Sequence, residues 1–271
     1  VLTLDPSGGC GVQVNPLPGP FSTPTTISLT PVPPPGYLFI GWESENGFAG
    51  WADPWTFLMN ESHTITAYCV PIPTFPDYTP TVSYHRDPVT RLAALGIIRG
   101  YEDGRFGPGD RTLRAQMAAL IARGMFWDDQ DHGNTFPDRC FPGGCIDDNL
   151  WRNIGTLYFY NVARGYADGM YDPTGQVLHA QVISFITRGM VENGFWVQRP
   201  ADPTLYGGIL NGTGHESDVA TFLHYTRGVG GIPDYPEGGG FAAWDTPSAR
   251  VWFSRAEWIA LDSYFGSGWV P

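Results

Sequence analysis

Apolar and polar positions follow two different periods along this chain. Through residue 70 the pattern is that of strands, with β-prone runs at 11–15, 25–30, 37–42, 55–59 and 63–70 separated by turn formers. Residues 64–68 alternate as a half-buried strand does, and Trp42 is expected in a core. Residues 71–84 hold four prolines and read as a stiff linker. Beyond them the period becomes helical. Residues 87–95 predict a short helix stopped by Gly96. In 114–125, Met117, Leu120, Ile121 and Met125 have the spacing of one buried helix face. Further helices are predicted at 150–160, 180–191, 219–229 and 255–264. The fold class implied is α+β and multidomain, a small β-rich domain followed by a mostly helical region.

The helical region repeats itself. Residues 95–125 contain Arg-Gly-Tyr-Glu-Asp-Gly and then Leu-Arg-Ala-Gln-Met; residues 162–190 contain Arg-Gly-Tyr-Ala-Asp-Gly and then Leu-His-Ala-Gln-Val. Tyr101 and Tyr166 stand 65 residues apart, and Arg114 and His179 each follow 13 residues later. A looser third copy runs from Asp234-Tyr235-Pro236-Glu237-Gly238 to Ser254-Arg255-Ala256-Glu257-Trp258. Units of this kind bury their apolar faces against one another, which moves function to the joints between them.

Composition narrows the classes. The net charge is −12 and all 15 basic residues are Arg, the first being Arg86. Without a basic patch the chain does not suit nucleic acid or an anionic membrane surface. No run of 18 apolar residues exists to span a bilayer. The first residue is Val, which fits a mature secreted chain and a trimmed one equally.

Four cysteines form two plausible pairs. Cys140 and Cys145 flank Phe-Pro-Gly-Gly, a turn that closes a small loop, and Cys10 and Cys69 lie near the two ends of the β-rich domain. Cys-x4-Cys with no His or Cys nearby does not make a zinc site. Disulfides place the chain in an oxidising, extracytoplasmic compartment. No metal or cofactor is expected. Asp128-Asp129-Gln130-Asp131 lacks the glycine and terminal Glu of a calcium loop and reads as solvated. Asn60-Glu61-Ser62 and Asn211-Gly212-Thr213 are glycosylation sequons. No nucleophile elbow, metalloprotease, phosphate-loop or dinucleotide motif is present, so the expectation is a protein that is not an enzyme.

Two resemblances sharpen this. Pro-Pro-Gly-Tyr-Leu-Phe-Ile-Gly-Trp at 34–42, with Ile65-Thr66-Ala67-Tyr68, resembles the InlB B-repeat type of bacterial surface module. That likeness implies a β-grasp-like spacer or adhesive domain whose first and last strands are neighbours, which suits a Cys10–Cys69 bridge. Gly-Ile-Ile-Arg-Gly-Tyr-Glu-Asp-Gly-Arg-Phe-Gly-Pro at 96–108 resembles the S-layer homology unit, as do Phe136-Pro137-Asp138, Trp151 and residues 165–169 in the second copy and Ser254-Arg255-Ala256-Glu257 in the third.

The second resemblance implies a pseudo-trimer of three units binding cell-wall polysaccharide, often carrying pyruvate ketals, in grooves between units. The domains expected are then 1–70 (β-rich), 71–84 (linker), and repeats at 85–130, 131–198 and 199–271. The polysaccharide-binding candidates are Arg114, Arg255, Tyr101, Tyr166, His179 and Glu257. Ser254-x-x-Glu257 reads as a capping box, which would put Arg255 in the first turn of a helix beside free N–H groups, a setting for a carboxylate. Asp and Gly of each Gly-Tyr-x-Asp-Gly are expected to build a tight turn. Leu113 and Gln116 depart from the motif, and His179 replaces Arg in the second copy, leaving at most two working grooves. The function expected is a non-catalytic, secreted protein of the bacterial surface held to wall polysaccharide. The alternative is a structural subunit that packs against copies of itself in a surface layer, sheath or filament.

Overall fold

A computed structural model of the protein describes residues 1–16, 24–80, 83, 87–127, 131–133, 135–202, 214–226 and 248–266. It divides into two compact units, 1–99 with 261–271, and 100–260. The expected first repeat at 85–130 is therefore shared between them at Arg99.

The first unit holds two sheets. Strands β1 (Leu2–Asp5), β7 (His63–Pro71), β4 (Tyr37–Ser44) and β5 (Gly47–Gly50) lie in the order β1-β7-β4-β5, and β2 (Gly11–Asn15), β3 (Thr25–Val32) and β6 (Trp55–Met59) in the order β2-β3-β6. All five expected strand runs are present; β1 and β5 are additional. Alternation in β3 buries Ile27 and Leu29 between exposed or half-buried neighbours, as a sheet with one covered face requires. Pro31 is tolerated in β3 because pairing with β6 stops at Leu29, so no ladder partner is lost on that side. Trp42 is fully buried, 4.9 Å from Phe39 and 5.9 Å from Trp55, and its indole N–H donates to Ala52 O at 2.8 Å. The first and last strands, β1 and β7, pair in parallel. The Cys10–Cys69 disulfide lies beside the Gly9–Tyr68 bridge.

Helix α1 (Pro88–Ala94) completes this unit. Asp87 caps it, accepting from Thr90 N at 2.8 Å and Tyr78 Oη at 2.6 Å, with Pro88 at the first helical position. Gly96 follows the helix with φ +74°, the left-handed stop that its position predicts.

Among the described residues of the second unit the long elements are helices. The unit contains α2 (Arg114–Gly124), the short β8–β9 hairpin (Cys140–Phe141, Gly144–Cys145) closed by the Cys140–Cys145 disulfide, α3 (Asp148–Phe159), α4 (His179–Glu192) and α5 (Glu216–Thr226). Helix α6 (Arg250–Phe265) gives its residues up to Ala260 to this unit and the rest to the first. Met117, Leu120 and Ile121 of α2 and Met125 just after it are buried as expected, but so are the helix's alanines and Arg114. A helix enclosed on nearly every side shows no clean amphipathic stripe. Small residues permit the close packing: a Cβ on Gly189 of α4 would stand 3.1 Å from Met125 Cγ.

One expected start is corrected. The third-copy helix begins at Arg250, not Arg255, so Ser254 is no cap. It lies in the second turn, where its hydroxyl donates to Arg250 O at 2.8 Å. A Ser at a helix interior makes this back-bond to the preceding turn, and the Ser-x-x-Glu pattern alone does not distinguish the two settings. The expected ends at 150–160, 180–191 and 219–229 move by one to three residues, with 227–229 outside the described residues.

Candidate functional site

The segments that enter α2, α4 and α6 meet in the second unit. Thr112 N donates to Ser248 O at 2.9 Å, Ser248 N to Val177 O at 2.7 Å, and Val177 N to Thr112 O at 2.9 Å. These bonds close a ring of three equivalent positions, each two residues before its helix. The residue that opens each helix is Arg114, His179 or Arg250. Arg250 thus holds the place in the third copy that the sequence reading gave to Arg255.

The joints carry the same bonds in turn. Arg114 N donates to Gly175 O and Ala115 N to Pro173 O; Arg250 N donates to Asp110 O and Val251 N to Pro108 O. The acceptors Gly175 and Pro173 are 65 residues beyond Asp110 and Pro108, the interval that separates Tyr166 from Tyr101. Each of these two helix N-termini is therefore capped by carbonyls of another copy's loop. This corrects the expectation of free first-turn N–H groups awaiting a carboxylate.

The guanidiniums are sandwiched rather than open. Arg114 is 3% exposed, with its guanidinium 4.6 Å from the Tyr166 ring and 4.8 Å from Tyr171, and Nε donates to Tyr171 O at 2.8 Å. Arg250 is 7% exposed, 4.4 Å from the Tyr101 ring and 5.4 Å from Phe106. Its Nε is buried with no hydrogen-bond partner among the described residues. Stacking an Arg on aromatic faces gives cation–π attraction and excludes water. The solvent-facing part is the ring: Tyr166 is 44% exposed and Tyr101 half-buried. Burial pushes the Tyr171 hydroxyl well above its ordinary range.

Both tyrosines are presented by the expected turn. Tyr101 N donates to Arg105 O and Tyr166 N to Met170 O, each at 2.8 Å. Asp103 and Asp168 accept from the N–H two residues on, and Gly104 and Gly169 take φ of +82° and +84°. His179 is buried, edge-on to Trp252 at 4.2 Å. Arg255 is half-buried inside α6 and does not join the ring.

Glu257 lies away from the helix starts, fully buried with neither carboxyl oxygen bonded among the described residues. Burial raises its pKa to about 8, only partly opposed by the charge of Arg123.

Arg250 was missed in the sequence, and Asp138 was read only as part of the Phe136-Pro137-Asp138 opening, without a role. Arg250 could have been found from spacing: it lies 15 residues after Tyr235, near the 13 of the first two copies, whereas Arg255 lies 20 after. Asp138 anchors the second turn, accepting from Tyr171 N at 3.0 Å and Asp172 N at 2.7 Å. The same Phe-Pro-Asp wording stands at 75–77, ahead of the first copy.

Residues 74–118 match the S-layer homology domain. The chain is also similar to a cell surface protein of Thermoanaerobacter kivui, 28% identical over 109 residues. It is similar to a middle cell wall protein of Brevibacillus brevis, 28% identical over 112 residues, and to a surface layer protein of Brevibacillus choshinensis, 29% identical over 112. Each comparison covers 38% of this chain and 13%, 10% and 9% of the relative respectively, so the chain spans about a tenth of the length of these proteins.

Proposed function

We propose that this protein is held to cell-wall polysaccharide by three S-layer-homology-like repeats joined as a pseudo-trimer, with the N-terminal β-rich domain displayed as a non-catalytic, β-grasp-like module. The domain match at 74–118 and three relatives named for the surface or wall support a secreted protein of the bacterial cell surface. The observation that carries the reading is the recurrence of one joint: Arg114 under Tyr166 and Arg250 under Tyr101, with carbonyls at equivalent loop positions capping the two helices. The repeat boundaries 85–130, 131–198 and 199–271 belong to this proposal. A ligand lies on the ring of Tyr101 and another on that of Tyr166, with the buried guanidinium behind each supplying positive potential to a pyruvylated, acidic sugar. His179 gives the second copy no permanent charge, so two faces work.

Co-sedimentation with wall sacculi, before and after removal of pyruvate ketals, tests this. Pelleting that depends on ketals and fails in Tyr101→Ala and Tyr166→Ala supports attachment. Pelleting indifferent to both refutes it.

A second reading, a self-assembling surface-layer or filament subunit, is favoured by the burial of Arg114 and Arg250, which leaves little guanidinium for a ligand. It requires ordered polymers of the purified chain whose formation is unaffected by the two tyrosine changes.

A further inference from the structure

The far end of α4 borders a cavity of about 500 Å³, within the range of small-molecule sites. Tyr160, Asn161 and Arg164, just after α3, line one side; Arg188 and Glu192 of α4, Gln198 and Asp218 line the rest. Arg188 lies nine residues along α4 from His179, about 13 Å at the helical rise, so this cavity is separate from the ring of helix starts.

Its polar groups are prearranged and balanced in charge. Asp218 is only 5% exposed, and Arg188 grips its Oδ2 with Nε at 3.0 Å and Nη2 at 2.9 Å while Gln198 Nε2 donates to Oδ1 at 3.3 Å. Arg164 Nε donates to Asn161 Oδ1, and its terminal nitrogens have no other partner among the described residues. Two guanidiniums face two carboxylates, so the cavity has no surplus charge with which to draw an anion. An aromatic wall adjoins it. Tyr160 stacks on Trp127 with centroids 4.2 Å apart and planes 10° from parallel, and Trp127 Nε1 is tied to Asn193 Oδ1 at 2.7 Å. Next to it Phe159, 61% exposed, carries the His132 ring stacked at 4.3 Å.

Fixed donors and acceptors beside aromatic faces match a ligand with apolar C–H faces and hydroxyls that both donate and accept. We propose that this cavity is a second saccharide site, taking an uncharged hexose or N-acetylhexosamine unit. The inference rests on the wall-attachment reading for the source of the sugar, but not for its chemistry.

The test is amide-resolved NMR titration of the full chain with N-acetylglucosamine, methyl glucoside and, as an acidic control, glucuronate. The neutral sugars should shift amides at 160–164, 188–192 and 198 and leave 101, 114 and 166 unmoved; glucuronate should bind there more weakly. Arg164→Ala, on the surface, and Gln198→Ala should each weaken binding by about tenfold. Neutral sugars that leave these amides unmoved, tighter binding of glucuronate, or indifference to both variants would overturn the proposal. Saccharide shifts that persist when sacculi fail to pellet support the cavity and count against wall attachment. Ketal-dependent pelleting without these shifts does the reverse.

Discussion

Glu257 makes the sharpest demand on experiment, because the fold buries its carboxyl with no hydrogen-bond partner among the described residues. Its pKa in the folded chain is about 8 against an ordinary 4.5, with burial as the main cause. Above pH 4.5 the unfolded chain has released this proton while the folded chain keeps it, so folding takes up a proton. The stability of the neutral form is therefore complete below about pH 4.5 and is lost as pH rises through about 8. A difference of about 3.5 units at 1.36 kcal/mol each gives a penalty of about 3 kcal/mol at pH 7 and about 5 kcal/mol above pH 8. Glu257→Gln removes the titration while keeping the shape. Its amide introduces donors of its own, a cost of about 1–3 kcal/mol that does not change with pH. The quantity to measure is the difference in urea unfolding free energy between Glu257→Gln and the parent, at pH 5 and pH 8.5. That difference should move by several kcal/mol in favour of the Gln variant. A flat difference would mean that the carboxyl is hydrated or paired, and the argument from burial would fail.

Three further outcomes follow from the same structure. Arg250→Ala should lower stability by about 2–4 kcal/mol, since it strips the cation from between Tyr101 and Phe106, whereas Arg255→Ala should change it by under about 0.5 kcal/mol; equal effects in thermal unfolding would refute the assignment of the third-copy start. Replacing Cys69 by Ala should cost about 4 kcal/mol and replacing Cys145 about 2 kcal/mol, because the closed loops differ in separation, 59 residues against 5, as denaturant titration of each variant would show. Asp138→Ala should cost about 2–3 kcal/mol by orphaning the N–H groups of Tyr171 and Asp172, with Asp138→Asn recovering part of the loss in calorimetry.

What the sequence disclosed depended on how local the signal was. The five strand runs, α1 with its Gly96 stop, and the Asp103 and Asp168 turns were readable because a few adjacent residues decide each one. Strands β1 and β5 are four residues long and are held by pairing with β7 and β4, a cause that no local window contains. The third copy failed for the opposite reason: a good local match pointed to the wrong place. Ser254-Arg255-Ala256-Glu257 has the wording of a helix start, yet nothing in those four residues reports whether a helix is already under way. That is fixed by Ser248, whose N–H and carbonyl close the ring with Val177 and Thr112. The ring needs backbone atoms at a set distance ahead of each helix and no particular side chain, so Thr, Val and Ser serve equally and leave no motif. Arg250 then reaches Tyr101 as Arg114 reaches Tyr166, while the Glu257 that seemed to complete the motif is carried two turns into α6 and buried. The same backbone geometry that keeps the joints alike thus allows their side chains to drift, and it makes spacing from Tyr235 a better guide than residue identity.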